Sequence, residues 1–297
     1  MRGAERGFLL LTGVLGDPNR RPMTMAQLRI LASRVRESQN AAQDRDMTVK
    51  DLTSLGYSEE TAQYILHLLS QSALLDRYLQ RGKAAGCVPI TRVSEKYPVV
   101  LCQRLGLESP GCIWAKGNIS LLDMPKVSLV GSRDILPANR AFAWEVGAQA
   151  AKQGYALVSG NARGADRIAQ AACLKNGGVV ISVVADSLED KTEQENILYF
   201  SEYDFDQPFT AQRAISRNRL IHALPEKTFV AQCAYETGGT WDGTVKNLRQ
   251  GWSPVFCMND GSKATAELQQ MGAVGITSSD LVNLKQLHSN NISFFDQ

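Results

Sequence analysis

Closely paired cysteines are missing from this sequence. Its six cysteines (Cys87, Cys102, Cys112, Cys173, Cys233 and Cys257) never fall two residues apart, and the three histidines form no cluster beside them. That spacing argues against a structural zinc site and fits reduced, mostly buried thiols in a cytoplasmic protein. No run reaches the roughly 18 apolar residues that a membrane span needs. An excess of one charge is missing too: 32 Lys and Arg against 30 Asp and Glu leave a formal +2, so any basic site must come from clustering. Neither Gly-x-Gly-x-x-Gly nor Gly-x-x-x-x-Gly-Lys-Ser/Thr occurs, which removes the standard dinucleotide and Walker readings. There is no internal repeat or low-complexity stretch, and 44% apolar with 21% charged residues excludes collagen-like, disordered and disulfide-scaffold classes. At 297 residues the chain has the length of about two domains of roughly 150 residues each.

What is present divides the chain. Phe8 to Gly16, after Arg2 and Arg6, imitates a signal peptide. Thr12 and Gly13 interrupt it, and Asp17-Pro18-Asn19-Arg20-Arg21 follows without a small-residue cleavage site, so a short N-terminal helix is expected. Leu28, Leu31, Ala32 and Val35 recur at helical spacing, as do Ala62, Ile65, Leu66 and Leu69, with Ser58 placed to cap the second helix. These patterns predict a helical domain over 1–81, of the kind used for packing, dimerisation or interaction. A linker or extension of the next domain follows over 82–124, marked by Pro89, Pro98 and Pro110.

From residue 125 the pattern changes to short apolar runs alternating with helices. Strands are predicted at Val127–Val130, Tyr155–Val158, Val179–Val184, Ile197–Phe200, Thr228–Gln232, Val255–Cys257 and Val274–Ile276. One intervening helix carries Phe142, Val146 and Ala150 on a stripe and stops at Gly154, and the next stops at Gly177-Gly178. Repeated strand–helix units of this length demand parallel pairing and right-handed crossovers. The expected fold class is therefore α/β, a doubly wound parallel sheet over 125–285 beside the small helical domain, with a loose tail over 286–297.

Ligands of such sheets sit beyond the carboxyl ends of the strands, so the residues just after each strand carry the chemistry. After the first strand stand Gly131, Ser132 and Arg133: a glycine for close approach, a hydroxyl, and a planar fork suited to phosphate. After the second come Ser159, Gly160, Asn161, Ala162, Arg163, Gly164, Ala165 and Asp166, a glycine-bearing strand-to-helix turn whose exposed N–H groups suit an anion. Each loop alone is as readily a tight turn; together at neighbouring strand ends they favour an anion site. Arg213, Arg217, Asn218 and Arg219 then fall within seven residues, and Gly238, Gly239 and Thr240 follow a later strand. Between them Tyr199, Phe200, Tyr203, Phe205 and Phe209 place five aromatics in eleven residues. Base stacking on an exposed ring is worth about 1–3 kcal/mol. No matched pair of acid and base residues is visible, so no catalytic residue, metal ligand or cofactor is expected.

Several of these segments, in this order, resemble the DNA-processing protein A (DprA/Smf) family. They are Lys96-Tyr97-Pro98 through Leu101, Trp114-Ala115-Lys116-Gly117-Asn118, Val127–Arg133, Ser159–Asp166, Ser201-Glu202-Tyr203, Arg217-Asn218-Arg219-Leu220-Ile221, and the region from Thr228 to Cys257. The resemblance implies an extended Rossmann-like fold, single-stranded DNA bound in a positive pocket, self-association as a homodimer, and loading of a RecA-type recombinase. On that pattern Gly131, Ser132, Arg133, Ser159, Gly160, Arg163, Gly164, Arg217, Asn218 and Arg219 line the pocket and Asp166 shapes it. Arg133, Arg163, Arg217 and Arg219 are expected on phosphates, with Phe205 or Phe209 as a stacking ring and little sequence preference. The chain departs from the family where Ala169-Gln170 replaces Ala-His, Ala231-Gln232-Cys233 replaces Val-Glu-Ala, and Thr237-Gly238-Gly239 replaces Ser-Gly-Ser, and residues after 285 carry no winged-helix pattern. These departures mark a divergent branch.

Two other readings use the same pocket. A nucleoside-monophosphate phosphoribohydrolase, or a nucleotide-binding relative of one, would need a carboxylate behind Gly239-Thr240-Trp241-Asp242-Gly243-Thr244, where only Asp242 could stand in. A regulatory or antitoxin-like component of a defence locus would use it to sense a ligand or neutralise a neighbouring-locus protein.

Overall fold

The computed structural model describes residues 1–38 and 46–289. The outer part of the predicted tail, 290–297, lies outside the described residues. Five helices come first: α1 (Gly3–Thr12), α2 (Met25–Glu37), α3 (Val49–Ser54), α4 (Glu59–Ser70) and α5 (Ser72–Ala84). Thr24, Thr48 and Ser58 cap α2, α3 and α4 by accepting the N–H three residues on. Leu11, Leu31, Leu52, Ala62, Ile65 and Leu68 close a small core among α1 to α4. Buried Arg20 ties it together, donating to the Leu10 carbonyl at 2.5 Å and to Gln71 Oε1 at 2.7 Å. On their other side Leu9 and Leu10 of α1 and Leu75 and Tyr78 of α5 join the apolar cluster of the sheet.

The sheet comprises β1 (Cys87–Thr91), β2 (Cys112–Lys116), β3 (Lys126–Val130), β4 (Ala156–Ser159), β5 (Val180–Val183), β6 (Ile197–Ser201), β7 (Lys227–Val230), β8 (Val255–Met258) and β9 (Val274–Ile276). Its order is β1-β2-β6-β5-β4-β3-β7-β8-β9. The pairings among β3 to β9 are parallel, whereas β1–β2 and β2–β6 are antiparallel. The doubly wound parallel sheet is as expected over β3 to β9, and the segment over 82–124, expected as a linker or extension of this domain, adds two antiparallel strands. Proline hid the first of them. Pro89 sits in β1, and β1 is the outermost strand, where a missing ladder N–H is tolerated.

Side chains alternate along the central strands, as the pleat requires. Val127, Leu129, Leu157 and Phe229 pack with α7 (Pro137–Lys152) and α8 (Ala165–Lys175) on one face, while Val130, Val158 and Val230 pack with α6 (Val99–Leu105), α9 (Ala211–Ala223) and α10 (Gly238–Gln250) on the other. α11 (Lys263–Gln270) adds Ala264 and Leu268 to that second face. Among the described residues no helix is long and apolar enough to cross a membrane.

Candidate nucleic-acid interface

The chain runs β3, β4, β5, β6 in one direction across the sheet and then returns to lay β7 on the opposite side of β3. This reversal opens a crevice outside the carboxyl ends of β3 and β7. A cavity of about 590 Å3 occupies it, lined by Gly131, Ser132 and Arg133, by Gln232 beyond β7, by Arg217, Asn218 and His222 of α9, and by Gly238, Gly239 and Thr240 of α10.

The loops after β3 and β4 hold one another in place. Ser132 donates its N–H to the Gln232 carbonyl at 2.9 Å, and its own carbonyl accepts from Ala165 N at 3.1 Å. Gly164 adopts φ +88°, and a Cβ there would overlap the Ser132 and Arg133 carbonyls, so only glycine lets the two loops meet. Asp166, buried in the first turn of α8, accepts from the N–H of Gly160 at 3.0 Å and of Ala162 at 3.2 Å. Burial pushes its carboxyl upward, opposed by Arg217 and by those two N–H groups.

Arg217 is itself buried, and its Nη2 donates to the Gly160 carbonyl at 2.9 Å. A Cβ at Gly160 would overlap the guanidinium, so the absent side chain makes the space Arg217 fills. Burial lowers the affinity of Arg217 for its proton, and the field of Asp166 opposes that. At the rim stand two exposed arginines. Arg163 pairs with Asp134 at 2.8 Å, a contact exposed on both sides. Arg133 makes no hydrogen bond or ion pair among the described residues. Across the mouth, Thr240 Oγ1 donates to the Gly131 carbonyl at 3.1 Å and Asn218 Nδ2 to the Gly239 carbonyl at 3.0 Å, fixing the start of α10 against α9 and β3.

Four sequence-predicted residues lie elsewhere. Arg219 is bound to Glu202, whose side chain is 4% exposed, and to Ser216, so it neutralises a buried carboxylate on the far side of α9. Arg213 turns back to the Gln207 side chain and the Pro208 carbonyl, with its guanidinium over the Tyr203 ring. Ser159 is fully buried and accepts from Gln170 Nε2 at 2.7 Å. Phe205, expected as an exposed ring, is wholly buried between Tyr78 and Trp114; Phe209 is the exposed one, at 57%. In each case a partner outside the group's own helix or strand claims it, from Gln207 six positions before Arg213 to Tyr78 far before Phe205, and helical periodicity cannot see such partners.

His222 was not among the predicted residues. It follows Asn218 by one helical turn, and Gly243 follows Gly239 by one turn on the facing helix; a Cβ at either glycine would come within 3.0 Å of the opposite side chain. The Asn218/His222 and Gly239/Gly243 spacings were the signal available in the sequence.

The model of the DNA recombination-mediator protein A family matches residues 89–284. DNA processing protein DprA of Streptococcus pneumoniae is 31% identical over 184 residues, 58% of this chain and 65% of that protein. Protein Smf of Escherichia coli is 28% identical over 201 residues, 62% of this chain and 52% of that protein. The matched region thus spans between half and two thirds of these curated relatives. The X-ray structure of DNA processing protein A from S. pneumoniae superposes with a TM-score of 0.68 at 22% identity, covering 90% of this chain and 99% of that one. A structure of the Helicobacter pylori protein, concerned with its single-stranded DNA binding mode, gives 0.56 at 24% identity over 68% of this chain and 97% of that one. At these identities the two superpositions speak for a shared fold, while the family match covers most of the chain and every loop around the cavity. The chain belongs to the DNA recombination-mediator protein A family.

Proposed function

We propose that the protein binds single-stranded DNA, with the sugar-phosphate backbone lying over the loops that follow β3 and β4 and passing the start of α10. The observation that carries this reading is the rim of the crevice, where, among the described residues, Arg133 makes no hydrogen bond or ion pair and Arg163 is held by an exposed pair with Asp134. An exposed pair of this kind is worth little and exchanges readily for phosphate. Phe209, 57% exposed and just ahead of α9, offers a face for stacking. Family membership and the pneumococcal and E. coli relatives, named for DNA processing and as Smf, support a DNA-processing, recombination-mediator role. The family resemblance adds self-association and delivery of the strand to a RecA-type recombinase, tested by strand-exchange assays with and without the protein.

The phosphoribohydrolase reading has less support. Asp242, its candidate carboxylate, is exposed and does not line the cavity. Asp166, which does line it, is occupied by two backbone N–H groups.

Titration of a labelled oligo-dT across a salt series tests the binding reading. Arg133→Ala should weaken binding and flatten the log–log salt slope by about 0.7, the value for one phosphate contact on a single strand. Phe209→Ala should weaken binding by a few-fold and leave the slope in place, because stacking releases no counterions. An unchanged slope in both Arg133→Ala and Arg163→Ala, with both variants folded, would place the strand elsewhere.

A further inference from the structure

A second concavity, of about 640 Å3 and sharing no lining residue with the crevice, lies where α1 and α2 meet the connection from β1 to β2. Each helix turns one stripe toward it. On α1 the stripe is Ala4, Gly7, Phe8 and Leu11, and on α2 it is Met25, Leu28, Arg29 and Ala32. Both follow the i, i+3, i+4, i+7 spacing of one helix face. In the connection, Val93 and Leu107 line the groove and remain exposed. Exposed apolar side chains grouped around a groove mark an interaction surface, whereas single ones scattered over a protein do not.

Two helical stripes that converge on one open groove leave the place of a third helix unfilled. The small residues Ala4, Gly7 and Ala32 keep both stripes low enough for a close approach. A Cβ at Gly7 would meet nothing within 4 Å, so no neighbour within the chain requires a glycine there. Glycine inside a helix weakens it, and what Gly7 provides in return is room in the groove. The charge around the groove is one-sided. Among the described residues its lining carries two arginines and no acidic side chain. Arg92 donates from Nη2 to the Gly106 carbonyl at 3.1 Å in an exposed bond, and the Arg29 guanidinium makes no hydrogen bond or ion pair among the described residues. A nucleic-acid strand suits this surface poorly, because Phe8 is the one aromatic ring of the described lining and is buried, leaving no face for a base.

We propose that this groove docks an amphipathic helix of a partner protein, with its apolar stripe seated between α1 and α2 and with Asp or Glu on its flanks facing Arg29 and Arg92. The two stripes each run about 10 Å along their helices, so about two turns of the partner are engaged. Anchors at i, i+3, i+4 and i+7 are what such a groove recognises. The apolar contact supplies the affinity, and the arginines select against a basic helix of the same shape. Docking here leaves the crevice open, so the helix and a DNA strand bind at the same time.

Fluorescence anisotropy of the full chain with three labelled peptides tests this. One carries a leucine stripe at helical spacing with glutamates on its flanks, one has lysines in place of the glutamates, and one is the acidic peptide with its order scrambled. The acidic striped peptide should bind about tenfold more tightly than either of the others. Arg29→Glu, at an exposed position, should weaken that peptide about fivefold and strengthen the lysine peptide. Gly7→Phe fills the groove from α1 and should weaken both striped peptides about tenfold, with oligo-dT titration unchanged. No binding by any of the three, equal binding of the acidic and lysine peptides, or acidic-peptide binding that neither variant alters would overturn the proposal. So would displacement of the acidic peptide by oligo-dT, or a wild-type dimer in sedimentation that Gly7→Phe splits into monomers, which would make a second copy the occupant. The three-peptide comparison on wild-type protein and Arg29→Glu decides even if Gly7→Phe does not fold.

Discussion

Two regions of this protein use arginine, aromatic and acidic side chains to different ends. In the seam between α5 and the antiparallel strands, Tyr78, Trp114 and Phe205 pack with ring centroids 4.7–5.6 Å apart, and Arg81 lies over Tyr78 and Phe205. The polar ends of this cluster are matched: Tyr78 donates to Asp206 at 3.0 Å, Trp114 Nε1 donates to Asp204 at 3.1 Å, and Arg81 pairs with Asp206. In the crevice beyond β3 and β7, glycines stand where side chains would close the space, and among the described residues Arg133 makes no hydrogen bond or ion pair and Arg217 Nε and His222 Nε2 have no hydrogen-bond partner. Residue types therefore do not separate a binding surface from a structural seam. The difference lies in whether each polar group already has its partner.

The sharpest break of that contrast is Phe205→Ala. The ring is fully buried and touches both other aromatics, so its removal should cost about 3–5 kcal/mol of stability. A urea melt would show this as a lower midpoint, with oligo-dT affinity retained below the transition. A variant of wild-type stability with weaker DNA binding would instead return Phe205 to the interface.

Arg219→Ala probes the same contrast on α9, where Arg217 faces the cavity and Arg219 holds Glu202. Loss of Arg219 leaves a carboxylate that is 4% exposed without its cation, at a cost of about 3 kcal/mol. Burial already raises the Glu202 carboxyl, and without Arg219 it rises further. A folded-state value above the unfolded one favours the protein at low pH, and that contribution is lost as pH rises through the folded value. The deficit should therefore be larger at pH 8 than at pH 5, with the salt slope of DNA binding unchanged. A flattened slope in a folded Arg219→Ala protein would show that the arginine does reach phosphate.

Much of the parallel part of the sheet was legible in the sequence because its strands are buried apolar runs and its helices end at glycines. Gly154 and Gly177 both take positive φ just after α7 and α8. β1 and β2 were not legible, since Pro89 interrupts the first, the apolar part of the second is only Cys112 to Ala115, and α6 between them joins an antiparallel pair. At the site, Gly131, Ser132, Arg133, Gly160, Gly164 and Asp166 converge because position after a strand is a local property. Whether Arg213 or Arg219 points into the crevice depends on Gln207 and Glu202, and whether Phe205 is exposed depends on Tyr78, 127 positions earlier. Helix and strand periodicity does not reveal those partners. His222 was hidden for a related reason: it stands in an apolar stretch, Leu220-Ile221-His222-Ala223-Leu224, that reads as core.

The smallest expected effect comes from Asp204, the polar end of the structural seam. Burial, reinforced by the neighbouring Asp206, raises its carboxyl to about 6 from an ordinary 3.8. Near pH 4 the group is largely protonated in the folded protein, and its charge costs little. As pH rises through 6 the folded protein must carry a buried negative charge that the unfolded chain carries in water, so stability falls. Asp204→Asn keeps an oxygen for the Trp114 N–H and removes the charge. It should raise Tm by about 3 °C at pH 7.5, where 1 kcal/mol corresponds to roughly 2–4 °C for a domain of 150–250 residues, and leave it nearly unchanged at pH 4. The His222 ring gives the opposite slope in wild type and its asparagine variant: with its value lowered to about 3, it favours the folded state above pH 6.5 and loses that contribution as pH falls. Measuring Asp204→Asn at both pH values against wild type cancels the histidine contribution, since both proteins retain it. An equal Tm gain at pH 4 and pH 7.5 would mean that charge is not what separates Asp204 from its asparagine replacement, and that the seam is less completely matched than its hydrogen bonds indicate.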